Sequence, residues 1–230
     1  MAASLEDFYP EVLSCASGLG DPVADANIRL ALEEFCRKTL FWQYTPAAIN
    51  VVATTHTYAL APPANTLVAN VVYAAVNGIV LDPASADQMD LEWPKRRTKY
   101  PQMTSSASTP WREETNDQAY LYHLPDPKNI RIIPIPTVAI TGGLTMILAL
   151  RPSRTATTVD DLLFEEAYEA IAHGAKARIL AIPNRIWTDY PAAAYFREMF
   201  EQDISDYTGR RVRDHTRQNK TVLRTRAYSY

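Results

Sequence analysis

Proline divides this chain. Twelve of its sixteen prolines fall between Pro46 and Pro152. Proline removes a backbone donor and clashes with the preceding turn, so no long helix can run through such a block. The block is also rich in Val, Ile, Thr and Tyr, the residues of pleated sheet. The flanks carry Ala, Leu, Glu and Arg at helical spacing. The pattern predicts an α+β fold: a helical bundle from residues 1–45 and 153–208, an inserted antiparallel β-rich subdomain at 46–152, and an extended basic C-terminal arm at 209–230.

Local signals sharpen this division. A first helix is expected from Ser4 to about Ser17, with Ser4 as N-cap, Asp7 three residues on, and Pro10 placed to split it. A second is expected after Asp21 and Pro22, ending near Tyr44, with Ile28, Ala31, Leu32, Phe35, Thr39 and Trp42 on one face. The insertion predicts strands at 49–54, 57–60, 67–76, 78–81, 119–123, 130–133 and 144–150. Asn77-Gly78 is a tight-turn signal. Residues 82–114 are polar and without a clear period, and read as a long functional loop or an interaction arm. Helix returns after Thr157-Thr158, with Leu163, Ala167, Ala170, Ile171, Gly174 and Ala177 on one face. Gly174 among alanines reads either as close backbone approach to a neighbouring helix or as a tolerated helix defect. Pro183 and Asn184 end that helix, and a last one starts near Asp189 to Pro191.

The 230 residues carry a net charge of −3, with 47% hydrophobic and 21% charged residues. That is the composition of a globular chain rather than a disordered one. The start, MAASLEDFYPEV, predicts no signal peptide, and the apolar runs predict no membrane span. Charge is unevenly placed. Residues 1–45 hold 3 basic and 7 acidic groups, 46–152 hold 8 of each, and 153–208 hold 5 and 10. Residues 209–230 hold 7 basic and 1 acidic. An acidic body ends in a basic tail.

Motifs for chemistry do not emerge. The sequence has no P-loop, no GxGxxG in a strand–turn–helix context and no GxSxG. His56, His123, His173 and His215 do not form a zinc spacing. Cys15 and Cys36 read as small core residues. The acidic pairs Asp160-Asp161 and Glu165-Glu166 open a helix, where the macrodipole favours them without any catalytic role. The expectation is therefore a non-enzymatic protein with no cofactor and no metal.

Two features point to partners. Trp93 and Trp111 lie in the long polar loop, where no periodic core face explains them, and are candidates for contact with another protein. A loop folded back onto its own sheet explains them equally well. Arg210, Arg211, Arg213, Arg217, Lys220, Arg224 and Arg226 recur along the tail and suit either phosphates or an acidic protein surface.

The order of segments resembles the head-to-tail adaptor proteins of tailed bacteriophages, including the podovirus adaptors called tail tubular protein A. The resemblance is strongest over residues 150–204, LRPSRTATTVDDLLFEEAYEAIAHGAKARILAIPNRIWTDYPAAAYFREMFEQDI. It extends more weakly to THTYALAPP, NGIVLDP and the N-terminal helices. It implies a structural virion protein: one subunit of a dodecameric ring beneath the portal, in the neck between capsid and tail. Implied partners are portal protein, a tail nozzle or tail tube protein, and double-stranded DNA passing the lumen without specific binding. The resemblance further implies ring packing by helices, for which His173, Gly174, Phe196 and Phe200 are the candidates. Trp93 and Trp111 are candidates for the tail component, and the seven basic tail residues for portal or a neighbouring subunit.

The residues support the same reading from another side. An acidic body repels phosphate and lets DNA slide. Two alternatives compete. A nucleic-acid-binding protein using the basic tail predicts DNA affinity that falls steeply with salt. An enzyme or carbohydrate-binding module would use Trp93, Trp111 or Tyr122 as stacking platforms.

Overall fold

The computed structural model describes residues 2–99 and 109–213. In chain order it comprises β1 (Ala2–Ser4), α1 (Tyr9–Val12), α2 (Asp21–Thr39), β2 (Gln43–Tyr44), β3 (Ile49–Val51), β4 (Thr57–Ala59), β5 (Thr66–Val76), β6 (Ile79–Val80) and β7 (Asp82–Pro83). Then come α3 (Ala86–Lys99), β8 (Thr115–Asn116), β9 (Leu121–Asp126), β10 (Asn129–Ile133), β11 (Ile135–Pro136), β12 (Ile140–Pro152), β13 (Thr158–Asp160), α4 (Asp161–Leu180) and α5 (Tyr190–Arg213). The α+β class follows directly.

The N-terminal helix forms in pieces. Ser4 and Asp7 make a capping box: the Asp7 carboxylate accepts from the Ser4 amide at 2.7 Å, and Ser4 Oγ accepts from the Glu6 amide at 3.3 Å. Pro10 sits in the first turn of α1, with 3-10 turns at Leu5–Phe8 and Leu13–Cys15 on either side. Gly20, not Asp21, is the N-cap of α2. Asp21 is the first helical residue, where its charge meets the positive end of the helix dipole. The helix stops at Thr39 rather than Tyr44, because Leu40 turns left-handed at φ 51°. The expected face is the buried face: Ile28, Ala31, Leu32, Phe35 and Thr39 are fully enclosed.

β12 organises the larger sheet. Its Leu144, Met146, Leu148 and Leu150 alternate into the core with the period of two that a pleated strand imposes. β5 pairs antiparallel along its length, β2 and β3 pair on the other side, and β6 closes the far edge. Asn77 and Gly78 both have positive φ, as the tight β5–β6 turn requires. A second sheet runs β4-β10-β9-β7. The insertion is not wholly antiparallel: β7 runs parallel to β9, and β11 to β8.

Three elements depart from expectation. Residues 86–99 are helix, not loop. Over residues 86–93 of α3, Met89 and Trp93 are buried in a segment that is otherwise mostly polar, and such a pair is too short to show a period. β1 pairs antiparallel with β13, joining two segments some 155 residues apart in sequence. Gly209 to Arg213 continue α5 rather than opening an arm.

Among the described residues the main hydrophobic core runs from the helices into both sheets. Phe8, Phe35, Ile171 and Phe200 from the helices, Val71, Leu144 and Leu148 from the larger sheet, and Ile130 and Ile132 from the second sheet belong to the same buried cluster. α2, α4 and α5 pack on one another, and α2 also packs on β12.

Candidate assembly surfaces

α4 and α5 form an antiparallel hairpin whose closeness is set by Gly174. A Cβ built on Gly174 would lie 2.9 Å from Cε2 and Cζ of Phe200 and 3.0 Å from the Ala31 methyl. The expected close approach is real, and it is made within the chain. Phe200 is fully buried there, so neither Gly174 nor Phe200 offers a surface to a ring neighbour. His173 and Phe196 lie nearer solvent. The His173 ring stacks on Phe196 at 5.9 Å, and its Nδ1 stands 2.9 Å from the Asp203 carboxylate. Beside them the Lys176 ammonium is enclosed, ion-paired to Glu11 of α1 and 5.1 Å from the Phe196 ring. The pair holds the Glu11 carboxyl below its ordinary range.

Glu34 of α2 is the polar counterpart of that apolar contact. Its carboxylate receives Lys38 at 2.8 Å, Arg197 of α5 at 2.8 and 3.0 Å, and Arg178 of α4. Burial alone raises its pKa, but the hydrogen bonds and charges of Arg197 and Lys38 outweigh burial and bring it down to about 2. Next to it Glu33 pairs with Arg151 of β12. Three helices and the main sheet are thus pinned through two consecutive residues. Sequence reasoning passed over this hub. Glu34 and Lys38 carry an i,i+4 signal, whereas Arg178 and Arg197 lie 144 and 163 residues away.

Trp93 and Trp111 are placed differently from a surface contact. Both are buried, at 5% and 4% exposure, in a small separate core with Met89, Leu121 and Ile133. The Trp93 indole donates to the Thr109 carbonyl at 3.1 Å. The Trp111 indole donates to Asp90 at 2.6 Å, and Arg112 grips the same carboxylate with two nitrogens at 2.6 and 3.1 Å. These bonds hold Asp90 down to about 2. The guanidinium groups of Arg112 and Arg131 lie 4.2 and 5.1 Å from the centre of the Trp111 ring. The two indoles therefore fasten α3 to the second sheet, and neither is free to reach a tail component directly. A signal for this existed: Ser85 and Gln88 form a capping pair, with Ser85 Oγ accepting from the Gln88 amide at 3.2 Å.

The basic tail is only partly in view. The Arg210 guanidinium lies 5.0 Å from the Tyr207 ring centre, and Arg210 and Arg211 line a cleft with Phe41, Leu162 and Glu166. Arg213 ends α5. Arg217, Lys220, Arg224 and Arg226 lie outside the described residues.

The remaining candidates for chemistry have structural surroundings. Asp160 is the N-cap of α4, accepting from the Leu162 amide at 3.0 Å. Burial, then the Arg131 charge, lowers the pKa of His56. Burial also lowers His123, which lies edge-on to Trp111. Cys15 and Cys36 are free thiols, with Cys36 fully enclosed. Tyr122 is buried, its hydroxyl donating to the Val71 carbonyl at 3.1 Å, which removes it as a stacking platform. Among the described residues no cluster of three or more His, Cys, Asp or Glu is placed to hold a metal, and no helix is long and apolar enough to cross a membrane.

The chain belongs to the SU10 adaptor protein family, whose family model matches residues 6–226, and is a bacteriophage adaptor protein. That family is one of structural proteins rather than enzymes. Membership implies portal and tail partners, self-association, and a place in the virion neck. No curated protein matches the chain.

Proposed function

We propose that this protein is a head-to-tail adaptor subunit. Copies form a ring, dodecameric as the adaptor resemblance implies, that joins the portal to a tail nozzle or tail tube. The ring continues the DNA channel, retaining the packaged genome and later passing it at ejection. The observation that carries this reading is the family match over nearly the whole chain. The acidic body supports it, because a lumen of like charge does not hold phosphate. Subunits assemble in the host cytoplasm and end in the neck.

Within this reading the basic residues from Arg210 to Arg226 dock on acidic portal or neighbouring-subunit surface. The test is an averaged cryo-electron micrograph of particles carrying this chain with a bulky label. Density for the label between capsid and tail is expected, and its absence from the neck overturns the proposal. Tight, salt-sensitive binding of duplex DNA by the isolated protein would instead favour a nucleic-acid-binding role for the tail.

A further inference from the structure

The α4–α5 turn presents a side chain that the fold does not use. Ile186 is 90% exposed, the most exposed large apolar residue described. The turn under it is well fixed. Asn184 is left-handed at φ 58°, the Arg185 amide donates to Thr188 Oγ1 at 2.9 Å, and Thr188 Oγ1 donates to the Ile182 carbonyl at 2.6 Å. The Asp189 amide then donates back to the Leu180 carbonyl at 3.1 Å. Arg185 is exposed beside Ile186. The tip is therefore a rigid apolar knob with a cation at its base.

The other end of the same hairpin holds a matching recess. A cleft of about 340 Å³ opens between α4, α5 and the α2–β2 link. Phe41, Leu162 and Tyr207 supply its apolar lining, and Leu162 is 40% exposed. Glu166 stands on one wall, with Arg210 and Arg211 on the other. Glu165, Glu166 and Glu169 form one exposed helix face with Leu162. None of the three glutamates has an ion-pair partner among the described residues. The cleft level at Glu166 lies about 21 Å along α4 from its last residue, at 1.5 Å per residue.

Knob and recess at opposite ends of one rigid body cannot meet each other within a subunit, so each needs a second copy. They suit a head-to-tail contact, which repeats from copy to copy and closes when the rotation between copies allows. We propose that Ile186 of one copy seats among Phe41, Leu162 and Tyr207 of the next, with Arg185 facing the acidic face of α4. The occupant is a second copy of this chain. The proposal rests on the ring reading above and names the contact that builds the ring.

Paired cysteines test it. Ile186→Cys and Leu162→Cys are introduced together, in a background with Cys15→Ser, and particles are oxidised and run without reductant. A covalent ladder of this chain that collapses on reduction is expected. A mixture of the two single variants should stop at dimers. Monomer alone, in particles whose neck contains the protein, overturns the contact and leaves the adaptor role standing. A product joined to portal protein at the Leu162→Cys position, identified by mass, overturns it in favour of a portal contact. Failure of the unmodified chain to enter particles overturns both readings together.

Discussion

Gly174 and Phe200 are in contact across the α4–α5 hairpin with no room for a methyl group between them: a Cβ on Gly174 would sit 2.9 Å from two ring carbons. Phe200 is fully buried, so the ring cannot move into solvent to make space.

Gly174→Ala should therefore destabilise the chain. Replacing a mid-helix glycine gains about 1 kcal/mol in helix propensity. Overpacking a closed core costs about 1–3 kcal/mol. The clash meets two neighbours, Phe200 and Ala31, so the net loss should be about 1–2 kcal/mol. A urea denaturation midpoint equal to or above that of the unmodified protein would show that the hairpin has slack.

Glu34 should give the fold an acid-sensitive component. Its folded pKa, about 2, lies below the ordinary 4.5. A depressed carboxylate pKa contributes stability that is full above the unfolded value and lost as pH falls through the folded one. The window here runs from about pH 4.5 down to about pH 2. With screening at this partly exposed hub the contribution is on the order of 1–2 kcal/mol. Glu34→Ala should lower stability at pH 7 by about 1–3 kcal/mol, since Lys38 and Arg178 lose their carboxylate partner and Arg197 keeps only Glu201, and should flatten the dependence between those pH values. Thermal melts of both proteins from pH 7 to about pH 2 measure it; parallel curves would remove Glu34 from the account.

Trp111→Ala should loosen one region more than the whole. Truncating a buried tryptophan costs about 3–5 kcal/mol, and this one belongs to the small core beneath α3 rather than the main core. Hydrogen exchange should speed up in α3 and β9 while α2 and α4 stay protected. Uniform acceleration would mean that the two cores melt as one.

A truncation after Arg213 should separate folding from attachment. α5 includes residues 209–213, and Arg210 packs over Tyr207. A cut at 209 would therefore damage the helix as well as the tail. The chain ending at Arg213 should keep its circular dichroism spectrum and fail to join heads to tails in an assembly assay. Normal joining by that protein would rule out docking through Arg217 to Arg226.

What could be read from the sequence follows the range of the interactions involved. The β5 and β12 segments were legible because Val, Ile, Leu and Thr alternate or run together over enough residues to show a period. Ser4 and Asp7, Pro10, and Asn77-Gly78 act within four residues of themselves, and each took the form expected. α3 was hidden because its segment is mostly polar and carries Pro94, so no apolar period stands out. The burial of Trp93 and Trp111 depended on where a polar segment would land, which Asp90, Arg112 and the strand edge at β9 decide together. β1 and β13 are three residues each and pair across most of the chain; short strands with distant partners leave almost no local trace. For the same reason Gly174 is recognisable as a site of close approach, whereas its partner Phe200, 26 residues further on, is not.

The continuous buried cluster that joins helices to both sheets has a mechanical consequence. A flexing seam between them would have to expose side chains such as Leu148, Ile132 and Phe35 to water at once. The body must therefore tilt or slide as a solid. In any assembly of such bodies, a change of shape has to come from slippage where one copy touches the next.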